Sequence, residues 1–237
     1  MADSKFSRDE ALRFGWDTMK SNLVFFIILF LIFFFVSAIG NGLNVWFENL
    51  SKQEGAAAAL AVLVMFLVVV VVQVVSIIMQ IGLVKIALEF VDSRKPTYAE
   101  LFNNYRFFWR FLFASILYVL ILMGGFLLLI VPGIVWALKY GQFTYLIVDK
   151  KAGIMESIKK SGQITYGAKW DLFVFGLLLL VINIAGALCF LVGLFATVPT
   201  TLLAMAHVYR QLLAKAEAPA AVSAPVVAQP INPQIGE

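Results

Sequence analysis

Lys139 is the one charged residue set deep inside an apolar run, in the stretch Ile130 to Lys151, IVPGIVWALKYGQFTYLIVDKK. It lies ten residues before Asp149, about 15 Å of helix, and a lysine side chain snorkels over only part of that distance. An ionisable group at such a depth faces a wet cavity or a polar partner, and is read first as a functional candidate. Gln142 follows on the same helical face, and Tyr140 and Tyr145 add hydroxyls nearby. Together they could hold an anion or line its path. The competing account is structural: a lysine bonded to helix-end carbonyls, or one reaching past the end of a short helix.

His207, the single histidine, stands one turn before Arg210 and reads as an interfacial polar residue rather than a ligand. With one His and one Cys, at Cys189, there is no multi-cysteine zinc pattern and no nucleophile–base pair. GxSxG, HExxH and a phosphate-cradling glycine loop are absent, so no catalytic residue, cofactor or metal ligand is assigned and the chain is read as a non-enzyme. Glu89, Asp92, Asp149, Glu156 and Asp171 sit beside basic residues, where local pairing accounts for them. Gln73, Ser76 and Gln80 form a polar stripe at helical spacing, of the kind that joins membrane helices.

These residues must be positioned by apolar helices. A chain of 237 residues that is 62% hydrophobic and 14% charged, with 22 phenylalanines, has more apolar surface than one soluble core of this size can hide. The expectation is an all-α integral membrane protein with about six transmembrane helices in three hairpins, each preceded by an amphipathic helix on the cytoplasmic side. The spans fall at about 23–39, 60–84, 111–131, 133–148, 172–190 and 194–213. Residues 1–22 form an N-terminal amphipathic surface helix, opened by the capping-box pattern Ser7 to Glu10 and too acidic for a cleaved leader. Residues 23–214 form the membrane domain, and 215–237 read as a disordered cytoplasmic tail.

Charge sets the orientation. Apart from Lys52 and Lys139, every Lys and Arg falls in the N-terminal segment, the 85–110 loop, the 150–169 loop or the C-terminal end. Both termini are therefore expected in the cytoplasm, in a multi-pass protein of the cell membrane. The net charge of +4 follows from that bias and calls for no nucleic acid. A second capping-box pattern at Thr97 to Glu100 opens the clearest amphipathic segment, where Arg94, Lys95, Arg106, Trp109 and Arg110 are the candidates for contact with an anionic leaflet. Expected partners are membrane lipids, with another membrane protein or a second copy of the chain beside them.

The order amphipathic basic segment, span, span recurs from near Glu10, Glu100 and Glu156. The last two copies share Pro132 and Pro199 at the start of the second helix, and Lys139 and His207 about two turns on. Duplication is one reading; the other is that any six-span chain contains hairpins.

The run Ile130 to Leu180 combines PG after an apolar helix, a basic residue in the next helix, a YLIVD end, an ES-x-KKS helix and an aromatic before the next span. It resembles the polytopic bacterial membrane domain attached to some glycerophosphodiester phosphodiesterases, and related stand-alone membrane proteins of unknown function. The resemblance implies a membrane module without the hydrolase, because no segment here is long or polar enough to be that enzyme. Three functions stay open: a module that interacts with anionic lipid or a membrane partner, a small transporter or channel with Lys139 lining an anion path, and a lipid-modifying enzyme, for which no motif exists.

Overall fold

A computed structural model describes residues 5–51, 56–189 and 193–218. The expected disordered tail, 215–237, begins as helix, since α10 runs on to Glu217; its remainder from 219, Lys52 and the loop around it lie outside the described residues. Everything described is helix or connection, with no strand among the described residues. The helices are α1 (Arg8–Ser21), α2 (Leu23–Ser51), α3 (Ala56–Val91), α4 (Glu100–Asn103), α5 (Phe108–Leu128), α6 (Ile130–Tyr140), α7 (Phe143–Lys150), α8 (Ile154–Ile164), α9 (Lys169–Leu188) and α10 (Leu194–Glu217). A single 3₁₀ turn, Tyr105–Phe107, joins α4 to α5.

Four stretches are long and apolar enough to cross a membrane: Leu23–Gly40, Val62–Val91, Glu100–Leu128 and Lys169–Leu188. Two of the six expected spans fall short of that measure, for different reasons. The 133–148 segment is two helices, α6 of 11 residues and α7 of 8, which reach only about 16 and 12 Å against a hydrocarbon core of about 30 Å. The last segment is one continuous helix with Pro199 inside it, but Thr, His, Tyr and Arg dilute its apolar content. It lies deep in the bundle, with Leu203, Ala204, Ala206, Val208 and Tyr209 fully buried and α1, α2, α3, α8 and α9 packed around it. Thr200, Tyr209, Arg210 and Gln211 find hydrogen-bond partners within the protein, so hydropathy underrates it.

The N-terminal helix belongs to that packing. The Ser7 hydroxyl caps α1 by accepting the Glu10 N–H at 3.3 Å, and the buried face Ala11, Gly15, Met19 lies against α10. A Cβ at Gly15 would stand 2.5 Å from the Thr200 carbonyl oxygen, so only glycine admits this approach. The amphipathic segment before α5 departs from the sequence pattern. Thr97 caps nothing, and the helix stops at the buried Asn104, whose Nδ2 donates to the Glu100 carbonyl at 3.0 Å; such side-chain bonds to the backbone compete with helical continuation.

Glycine contacts join two pairs of helices. A Cβ on Gly125 would lie 2.9 Å from the Cα of Gly133, and one on Gly193 2.7 Å from the Cα of Gly186. These glycine pairs let α5 meet α6, and α9 meet α10, at backbone distance. The turn between α5 and α6 is a single extended residue, Leu129, three residues ahead of the expected break at Pro132. Its neighbours Leu127, Leu128, Ile130 and Val131 are all exposed and apolar.

Candidate functional site

The break between α6 and α7 needs explaining first, because it positions Lys139. A helix that ends leaves carbonyls without donors, and one that starts leaves N–H groups without acceptors. Here both ends are met by α8. The Ser161 hydroxyl accepts the Gln142 N–H at 3.1 Å and donates to the Lys139 carbonyl at 3.0 Å. The Thr165 hydroxyl lies 2.9 Å from the same carbonyl and 2.8 Å from that of Ser161. Ser161 and Thr165 are fully buried, so this pair replaces the missing turn of helix at Gly141–Gln142. Neither was singled out by sequence reasoning; their i, i+4 spacing on an amphipathic helix was the available signal.

The Lys139 side chain then has one way out. Its stem crosses Gly162, where a Cβ would stand 3.1 Å from the lysine Cε, and its Nζ sits 4.8 Å over the Tyr140 ring. That contact is within cation–π range. It opens on a cavity of about 720 Å³ between α5, α6 and α8, bounded by Ile121, Met155 and Ile158 on the apolar side and by Lys159, Gln163 and Tyr166 on the polar side. No acidic residue lines it. Neither Lys139 nor Lys159 has a carboxylate partner among the described residues, whereas neighbouring Lys160 pairs with Glu217 at 3.5 Å. Tyr166 and Trp170 are exposed close by, and such amphipathic rings sit at membrane–water boundaries. Gln142 does not join this cavity. It is buried with its Oε1 unpartnered, and only its backbone serves the site.

A second polar site lies where α3, α7 and α10 end. Arg210 grips Asp92 with two parallel bonds, Nε to Oδ1 at 2.9 Å and Nη2 to Oδ2 at 2.8 Å, and reaches Asp149 Oδ2 through Nη1 at 2.7 Å. Tyr209 donates its hydroxyl to the same Asp149 oxygen at 2.9 Å. Sequence proximity had suggested that these acids pair with adjacent basic residues, and for Glu89 with Lys85 at 3.1 Å it holds. Asp92 and Asp149 instead meet a partner on the last helix, where a planar guanidinium grips one carboxylate with two parallel bonds and still donates to a second, a fork that an ammonium does not offer. The network borders a cavity of about 300 Å³ that Arg94, Arg106 and Lys151 also line. The two non-glycine residues with left-handed backbone among the described residues, Ser93 and Lys151, flank it, and the Lys151 carbonyl is held by Arg110 Nη1 at 2.8 Å.

The five candidates for leaflet contact therefore separate. Arg94 and Arg106 line the Arg210 cavity, Arg110 braces the Lys151 turn, Trp109 points outward and stacks on Phe113, and Lys95 is exposed. His207 joins helices. Its ring stacks on Phe14 at 4.7 Å, and its Nε2 lies 3.0 Å from Gln211 Nε2 and 3.6 Å from Glu10 Oε1. The Gln211 amide also accepts the Ser7 N–H at 3.0 Å, so these two side chains fasten the start of α1 to α10. Gln73 and Gln80 are exposed on α3, away from both cavities.

Comparison of the chain with known protein families, with characterised proteins and with solved structures returns no match in any of the three.

Proposed function

We propose that this is a non-enzymatic module of the cell membrane that holds anionic phospholipid at the membrane boundary, with the Lys139–Lys159 cavity as its headgroup pocket. The observation that carries the reading is that two lysines line one cavity that contains no acid. Elsewhere the fold pairs Lys20, Lys85, Lys150 and Lys160 with carboxylates. Leaving two basic groups together without a counter-charge favours an anion from outside the chain, and the apolar wall of Ile121 and Met155 suits the glycerol and upper acyl chain. The resemblance of Ile130 to Leu180 to the membrane domain of some phosphodiesterases supports a lipid-side role without hydrolysis. In the topology we infer, three hairpins start and end on the cytoplasmic side, with α6–α7 returning behind α5 and α10 returning inside the bundle.

Purified protein in zwitterionic detergent, titrated with phosphatidylglycerol and phosphatidylcholine under native mass spectrometry, tests this. Near a membrane surface each basic residue contributes about 1 kcal/mol toward anionic lipid, so Lys139→Gln with Lys159→Gln is expected to cut the preference by about thirtyfold. Equal binding of both lipids by the unaltered protein would sink the idea.

A second reading, an anion path lined by Lys139, draws on the broken helix α6–α7, because interrupted helices mark transport sites, and on the unpartnered Gln142 amide. Anion uptake into proteoliposomes that survives Lys139→Met unchanged would remove it.

A further inference from the structure

Polar side chains on a membrane helix have to be accounted for one by one. Gln73, Ser76 and Gln80 belong to α3, the longest of the apolar helices. Gln73 and Gln80 are exposed, and none of the three has a hydrogen-bond partner among the described residues. Taking Lys85 as the boundary of the membrane, Gln73 lies twelve residues away, about 18 Å, which is near the middle of a hydrocarbon core of about 30 Å. A primary amide facing lipid there gives up its hydrogen bonds with water and receives none in return.

The surrounding residues give that amide a setting. Val62, Phe66, Val69, Gln73, Ser76 and Gln80 follow one another at alternating spacings of four and three residues. That is the spacing of a two-helix seam with a left-handed crossing. Val62, Phe66 and Val69 are exposed. Beside the seam Val69, Gln73 and Ser76 share a polar groove of about 280 Å³ with Ser37 and Gly40 of α2, and the small residues allow a helix to come near.

We propose that this face of α3 is the contact between two copies of the chain, related by a two-fold axis along the membrane normal. The amide itself selects the occupant. A glutamine side chain both donates and accepts, so the group that satisfies it fully is another carboxamide at the same depth, and a two-fold axis through the seam supplies that partner as Gln73 of the second copy. A contact of this type is isologous and closes at the dimer. The polar positions in the middle of the seam fix its register, as a buried amide does in a coiled coil. The inference depends on α3 crossing the bilayer and not on lipid binding at Lys139.

The test is disulfide cross-linking of the full chain in native membranes, with Val69→Cys placed in a Cys189→Ser background so that the seam keeps its amides. Val71→Cys, on the opposite exposed face of α3, is the control. A covalent dimer is expected from Val69→Cys and not from Val71→Cys. Adding Gln73→Leu, Ser76→Ala and Gln80→Leu is expected to lower the Val69→Cys dimer at least fivefold, while Gln73→Asn alone preserves it. An unchanged thermal transition for the triple variant shows that the fold is intact. Equal cross-linking at both positions, none at Val69→Cys, or a dimer indifferent to the triple change would each overturn the proposal.

Discussion

Lys139 and Arg210 both lie in the second helical arm of a hairpin, and the fold treats them in opposite ways. Arg210 is surrounded by its own chain: two aspartates from distant segments take three of its N–H groups. Lys139 is given an aromatic ring and a cavity but no acid. The difference separates a charge whose partners are built into the fold from one left without a counter-charge. A group whose bonding capacity is filled from within fastens the fold, and one left open to a cavity has capacity for something else.

The contrast can be broken most severely at Arg210. Removing one partner of a largely enclosed ion pair costs about 3–5 kcal/mol because the other charges are left uncompensated. Arg210 keeps 24% of its side chain exposed, so for Arg210→Met we expect the lower part of that range, read as a fall in thermal midpoint in detergent. Arg210→Lys should recover little, since an ammonium cannot grip Asp92 in parallel. A midpoint within error of the parent protein would mean that the network is decoration. Next is Ser161→Ala, which strands the Gln142 N–H and weakens the hold on the Lys139 carbonyl. Unsatisfied buried groups cost about 1–3 kcal/mol, and the loss should appear both in the melting curve and as faster amide exchange at residues 139–143. Smallest is Lys139→Met. A lysine with no acid partner contributes little to folding, so stability should stay within about 0.5 kcal/mol, while anionic-lipid preference falls. A large destabilisation would instead make Lys139 a structural residue and erase the contrast.

The all-helical class and the four most apolar helices were legible from composition and run length, because burying or embedding so much apolar surface has few solutions. Lys139 was legible as an anomaly for the same reason. What was not legible is instructive. At the α6–α7 break the only local signal is the lone Gly141, which a helix can accommodate; the break is held because Ser161 and Thr165, some twenty residues later, supply the bonds that a continuous helix would have made. Asp92, Asp149 and Arg210 each look like ordinary boundary charges, and only tertiary packing shows that they are one unit. The depth of α10 inside the bundle was hidden because hydropathy assumes lipid surroundings, while its polar residues face protein. In the 98–110 segment the local pattern pointed the wrong way: amphipathic spacing promised one helix, and the Asn104 side chain ended it.

The glycine contact between α5 and α6 bears on how the chain enters a membrane. Leu127 to Val131, at that contact, contain no charged residue and no carboxamide. Driving such a tip into the bilayer moves only hydrocarbon and backbone, with no ion or polar loop to carry to the far side. In the topology proposed above, α5 and α6 can thus enter already paired. The end of α2 and the segment that follows it, with Glu48, Lys52 and Glu54, are by contrast charged, and the topology proposed above places that charge across the bilayer.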